Sequence, residues 1–351
     1  MSSKLYYYNS VKNIISIKTN IKDFSFSYGM AMPYVDEKEY NNSLIKIELN
    51  VVSGRVEPKE GEKSEMGKFH YFSGYQNANE MYYERSFFFS QKLQYKISGI
   101  NSNHIKVTVN KNYMRFVKHR FMNVHSMGYI LTDIINLRLI HNNFAPLHCS
   151  GFLKGENSYG IFAPPNTGKT LTAMTLCMND SSYKFVAEDL ALTDGENLYA
   201  VPWTSTFRYY DSVDSSFFSK WLNKLTEKIS ILELFGFGKT EPITKYVSEI
   251  INKSSQKDIF ILDRGKEEFK DISKEEAFQR INTLDRYEFN YMRAPAIIAY
   301  EYFNPDTDIE GAYSGEREIL KKMIKNAETI KVISTRNALN YSKIIKEYIE
   351  K

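Results

Sequence analysis

Two cysteines in 351 residues, Cys149 and Cys177, are too few for a disulfide scaffold or a four-cysteine metal site. Both lie in apolar surroundings, so they read as buried free thiols. No run of about 18 apolar residues occurs, which argues against a membrane-spanning helix. The opening residues, MSSKLYYYNSVKN, lack the apolar core of a secretory signal. These absences lead us to expect a cytoplasmic protein with no membrane partner. The net charge of +4 is small for this length, and it argues against a general nucleic-acid binder. We find no internal repeat and no low-complexity tract.

What is present is ordinary in bulk. A hydrophobic fraction of 42 % and a charged fraction of 25 % are enough for most of the chain to fold. The length suits two domains. Tyrosine and phenylalanine are plentiful, 26 and 23, which the codon bias of an AT-rich genome explains more simply than an aromatic binding surface.

The chain changes texture near residue 120. Before it, residues 44–51, 81–89 and 104–109 read as strands; the first and last alternate apolar and polar residues with period two. The charged segment Gly54 to Gly67 reads as an exposed loop. After it, Met127, Ile130, Leu131, Ile134, Ile135, Leu137 and Leu139 recur at helical spacing up to His141. Strands and helices then alternate, as α/β layers require. Residues 259–262 read as a short strand before a turn at 263–265. Ser273 with Glu276 reads as a capping box opening a helix. A strand over 329–333 and an amphipathic helix over 340–350 close the chain. We therefore divide it into a strand-rich N-terminal region, 1–118, suited to substrate or partner recognition, and a nucleotide-binding region, 119–351.

The clearest motif is Ala163-Pro164-Pro165-Asn166-Thr167-Gly168-Lys169-Thr170, with Leu171 opening the helix that follows. The apolar strand Tyr159–Phe162 precedes it. Strand, loop and helix in this order make a phosphate cradle: loop N–H groups and the positive end of the helix both face an anion. Gly168 allows close backbone approach, Lys169 neutralises phosphate charge, and the Thr170 hydroxyl can sit on Mg²⁺. Ala163 stands where the usual pattern begins with glycine. The bland alternative is an accidental Gly-Lys-Thr ahead of a helix.

About twenty residues further on, Lys184 to Leu192 reads as a strand that carries two adjacent acids, Glu188 and Asp189, among apolar residues. Acids there are costly unless paired or metal-bound. Beside a phosphate loop one can hold Mg²⁺ and another can accept a hydroxyl proton. The competing reading is a strand end with solvated acids. His148, in Pro146-Leu147-His148-Cys149-Ser150-Gly151, is a lone histidine, and such residues are more often structural than catalytic.

Taken together, these three stretches resemble the HPr serine kinase/phosphorylase catalytic domain and its relatives, over residues 146–203. The resemblance rests on Leu147-His148-Cys149-Ser150-Gly151-Phe152-Leu153, then Gly155, the loop, and Phe185-Val186-Ala187-Glu188-Asp189. Val201-Pro202-Trp203, followed by Arg208, also resembles that group. It implies an α/β core of the phosphoenolpyruvate-carboxykinase-like P-loop type with a mixed sheet. It implies ATP and Mg²⁺ as cofactors, with Thr170, Glu188 and Asp189 near the metal. Glu188 and Asp189 would supply the proton acceptor and a metal contact, and Lys169 and His148 would lie by the reacting phosphoryl group. Arg208 is a candidate for gripping substrate, since a guanidinium suits oxyanions.

The expected activity is transfer of the ATP γ-phosphoryl to a hydroxyl on a peptide, protein or small molecule. The resemblance also allows a homo-oligomer. Two departures stand out: Glu188 replaces the family's usual aspartate, and the glycine-rich signature of the bifunctional enzymes is missing. The alternative class is a nucleotide-sensing binding protein that transfers nothing. A carboxykinase acting on a small acid ranks behind both, because no upstream Lys and His ligand set is recognisable.

Overall fold

The computed structural model describes residues 4–24, 32–58, 64–67, 70–86, 91–117, 127–188, 190–201, 247, 249–289 and 291–351. Asp189, Arg208, Pro202, Trp203 and residues 87–89 of the expected strand at 81–89 lie outside them. The protein is mixed α/β, with two mixed sheets and eight α-helices among the described residues.

The first sheet has eight strands: β1 (Tyr6–Val11), β2 (Ile15–Thr19), β3 (Ile45–Val52), β4 (Ser64–Gly67), β5 (His70–Gly74), β6 (Glu80–Ser86), β7 (Lys92–Ser98) and β8 (His104–Asn110). Their order is β1-β2-β3-β8-β7-β6-β5-β4, with β2, β3 and β8 parallel and the rest antiparallel. Period-two patterning sets β3: Ile45, Ile47 and Leu49 are buried while their neighbours are half-buried. β4 corrects the expected loop over 54–67. Its charged composition hides a short strand that, among the described residues, lies at the sheet edge beside β5, and edge strands tolerate polar residues. Helices α1 (Glu37–Asn42) and α2 (Lys111–Val117) flank this sheet.

Helix α3 (Met127–His141) follows the expected spacing, and Ile130, Leu131, Ile134, Ile135, Leu137 and Leu139 are buried. They join one apolar cluster that also contains the inner face of the first sheet and Ile297, Ala299 and Tyr300 of α6 (Pro295–Phe303).

The second sheet runs β12 (Tyr183–Ala187), β10 (Cys149–Lys154), β11 (Asn157–Phe162), β15 (Lys253–Asp263), β14 (Asn197–Ala200), β13 (Ala191–Thr193), β9 (Ala145–Leu147). β17 (Thr329–Ser334) joins β15 over residues 258–263, and β16 (Glu268–Asp271) pairs β17. β15 explains its own apolar run. Ile259 and Ile261 pack on one face with α5 (Lys274–Glu288) and α7 (Ile309–Asn326); Phe260 and Leu262 pack on the other with α4 (Lys169–Asn179) and α8 (Leu339–Ile349). A strand covered on both faces loses its alternation. Burying each such side chain contributes about 2 kcal/mol.

The connections dictate this sheet's shape. β9 and β10 are five places apart in the order, about 24 Å if the sheet were flat. Only His148 separates them in sequence, which spans at most about 7 Å. β12 and β13, near opposite ends of the order, are joined by residues 188–190. The sheet therefore curls until its ends approach each other, and His148 and Glu188 both sit on the two crossings of the seam. Gly151 is needed beside it, because a Cβ there would meet the Leu198 side chain at 2.7 Å.

Candidate phosphate site at the sheet seam

The loop from Ala163 to Gly168 leaves β11 beside β15, where Phe162 pairs with Ile261, and feeds into α4. Asn166 (φ 61°) and Gly168 (φ 127°) both adopt positive φ. Such residues turn successive N–H groups inward, as anion-binding nests do. The loop closes on itself through the Thr167 N–H, which donates to the Pro164 carbonyl at 3.3 Å. The Arg264 guanidinium donates to the Asn166 carbonyl from the turn after β15. That turn was legible in the sequence, but its arginine was not assigned a role.

Lys169 is buried. Its Nζ donates to the Ala163 carbonyl at 3.2 Å and lies 2.7 Å from His148 Nε2. Burial, and then the Lys169 charge, push His148 down to about 3, so the imidazole is neutral at pH 7. Its Nε2 thus accepts from the ammonium, and the tautomer carries its proton on Nδ1, which faces the Glu288 carboxylate at 3.8 Å. The backbone N–H of His148 donates to Asp285 Oδ1 at 2.9 Å.

Glu188 is buried at the end of β12, where a tight bridge to Leu190 bends the chain. The Thr170 hydroxyl donates to Glu188 Oε1 at 2.7 Å. The expected strand over 184–192 is thus two strands with a bend at 188–190, which turns Glu188 toward the loop. Asp189 and Arg208 lie outside the described residues. Lys169, Thr170, His148 and Glu188 are brought together; Pro164, Pro165, Asn166 and Thr167 form the loop above them, and Leu171 lies in the first turn of α4.

This donor set fits a magnesium-bound polyphosphate. A hydroxyl and a carboxylate in contact at a helix N-terminus suit an ion that keeps most of its water, and the lysine supplies the charge for the phosphate. Among the described residues no three His, Cys, Asp or Glu side chains form a self-sufficient metal site. A protein-only cage is not what Mg²⁺ with a nucleotide requires.

Asp285 was missed in the sequence. It sits on the buried stripe of α5 with Ala277, Phe278, Ile281 and Asn282. An acid on an apolar stripe was the available signal. Cys149 and Cys177 are buried and form no disulfide, and burial pushes the Cys177 thiol up to about 12, which makes it inert at neutral pH. No described helix is long and apolar enough to cross a membrane. Compared with models of known protein families and with curated proteins, the chain matches none.

Proposed function

We propose that this protein is an ATP-dependent phosphotransferase with a core of the HPr-kinase and phosphoenolpyruvate-carboxykinase-like P-loop type. The observation that carries the reading is the convergence of Lys169, Thr170 and Glu188 at one helix N-terminus, under a loop with positive φ at Asn166 and Gly168. Each group answers a need of phosphoryl transfer, which is chiefly positioning and charge neutralisation.

When bound, Mg²⁺ would neutralise charge on the outer phosphates, with Thr170 and Glu188 as its protein contacts. The loop N–H groups and Lys169 orient the γ-phosphoryl. His148, neutral and hydrogen-bonded to Lys169, keeps that ammonium aimed across the loop rather than into solvent. The acceptor's hydroxyl oxygen bonds to the γ-phosphorus as the bond to the ADP oxygen breaks, and the hydroxyl proton passes to a carboxylate. Glu188 and Asp189 are the two candidates for that carboxylate.

The test is transfer of label from γ-labelled ATP with Mg²⁺ to hydroxyl-bearing amino acids, peptides and an HPr-type protein. Lys169→Ala and Asp189→Asn should each lower transfer by about 100-fold or more. Absence of transfer to every acceptor, together with ATP binding that requires Lys169, would leave the nucleotide-sensing alternative.

A further inference from the structure

A cleft of about 510 Å³ opens beside Asp285, whose carboxylate is hydrogen-bonded to the His148 backbone. Its walls are the last turn of α5, the single turn Tyr291–Arg293 and the facing side of α7. The size is within the range of small-ligand sites. Two carboxyls reach it from buried positions, Asp285 at 1 % and Glu316 at 3 % exposure. Asp285 Oδ1 accepts the His148 N–H, while its Oδ2 is buried with no hydrogen-bond partner among the described residues. Glu316 Oε2 accepts from the Tyr291 hydroxyl at 2.7 Å. A buried carboxylate oxygen without a donor is costly, so it points to a partner that arrives from outside.

The same cleft has two exposed arginines on its wall. Arg286 lies against the Tyr313 ring at 5.6 Å, and Arg293 has no carboxylate partner among the described residues. Guanidinium groups left over from internal pairing suit a carboxylate or phosphate. A simple anion would leave the buried Asp285 oxygen without a donor, and a simple polyamine would be repelled by the arginines above. A molecule that carries both charges answers both ends.

We propose that this cleft binds the phosphoryl acceptor, and that the acceptor is a hydroxyl-bearing zwitterion of amino-acid to dipeptide size. Its ammonium meets Asp285 and Glu316, its carboxylate meets Arg286 and Arg293, and Asp285 ties the cleft to His148 and, through it, to Lys169. The substrate class rests on the kinase reading above; the zwitterion site itself does not. Burial raises both acids above the usual carboxylate range, and an arriving ammonium returns them to the charged form.

Ligand-observed NMR and calorimetry on the full chain test this with serine, threonine, homoserine, Ser-Gly and Gly-Ser. Glycerate, which lacks the ammonium, and ethanolamine, which lacks the carboxylate, are the one-sided controls. At least one zwitterion should bind saturably, with each control at least about tenfold weaker. Arg293→Met removes a charge and no internal ion pair, so the protein should fold with an unchanged melting temperature and bind the zwitterion about tenfold more weakly. ATP affinity should stay the same in that variant. No saturable zwitterion binding, equal binding of the controls, or an unaffected Arg293→Met variant would each overturn the proposal. Label transfer to a protein acceptor without zwitterion binding would sink the cleft and keep the kinase. Zwitterion binding without any transfer would do the reverse.

Discussion

Each sheet buries a glutamate to the same degree: Glu84 in the first and Glu188 in the second are both 2 % exposed. Glu84 sits within a sheet, and three of its donors come from its own and the adjacent strand. Lys92 Nζ reaches Oε1 at 2.7 Å, while the Tyr82 hydroxyl and Gln94 Nε2 reach Oε2 at 2.7 and 3.1 Å. Such a cluster holds strands in register. Glu188 instead stands where the chain leaves a strand, and its Thr170 donor comes from the helix after the phosphate loop. The comparison teaches that burial of an acid does not by itself mark a site. What matters is whether its neighbours belong to one rigid ladder or converge from separate elements on a loop that can hold an anion.

Paired substitutions break or sharpen this contrast. Glu84→Ala should lower stability by about 3 kcal/mol, because it removes a buried acceptor shared by the Tyr82 hydroxyl, the Gln94 amide and the Lys92 ammonium, and the folded fraction should bind ATP normally. Glu188→Gln should change stability by no more than about 1 kcal/mol while weakening Mg²⁺-dependent ATP binding about tenfold. Urea melts and calorimetry measure both. An equal loss of stability in the two, with ATP affinity intact, would make Glu188 another structural acid.

The cleft acid Glu316 offers an intermediate case, buried but with a neutral tyrosine rather than a lysine as its donor. Burial raises its pKa from 4.5 to about 7. The folded state therefore holds this proton more tightly than the unfolded chain, so the associated stability is full below about pH 4.5 and is lost as pH rises through about 7. Glu316→Gln cannot ionise and keeps an acceptor for Tyr291. Relative to the parent, it should gain about 2 kcal/mol between pH 5 and pH 8 in urea melts. Parallel pH profiles for the two proteins would contradict the assignment.

The smallest effect expected is at an exposed cap. Ser273 Oγ accepts the Glu276 N–H at 3.1 Å, but Glu276 turns its own carboxylate to Arg280 at 2.7 Å. Only half of the expected capping box forms, because a guanidinium one turn along the helix competes for the glutamate. Ser273→Ala should cost about 1 kcal/mol by thermal melt, with no change in ATP binding.

Local features were legible from the sequence and long-range ones were not. The strand, loop and helix around Gly168-Lys169-Thr170 declare themselves because turn chemistry and periodicity act over a few residues. The placement of Glu188 under Thr170 depends on a bend between β12 and β13 that periodicity alone ran straight through. β4 was hidden by the charged segment that leads into it. Asp285 and Glu316 each fall on the buried stripe of an amphipathic helix, Asp285 eight residues after Ala277 and Glu316 four after Ala312. Their spacing was visible, but they matter only because α5 and α7 pack against the seam, 137 residues from His148 in the case of Asp285.

The measurement that tests the account most directly is calorimetric titration of ATP, with and without Mg²⁺, into the parent protein and Lys169→Ala. The account predicts saturable binding that Mg²⁺ strengthens and that Lys169→Ala weakens by about tenfold or more in a folded protein. Binding of equal strength in the two proteins, or no ATP binding by the folded parent, would contradict the phosphate site on which the rest stands.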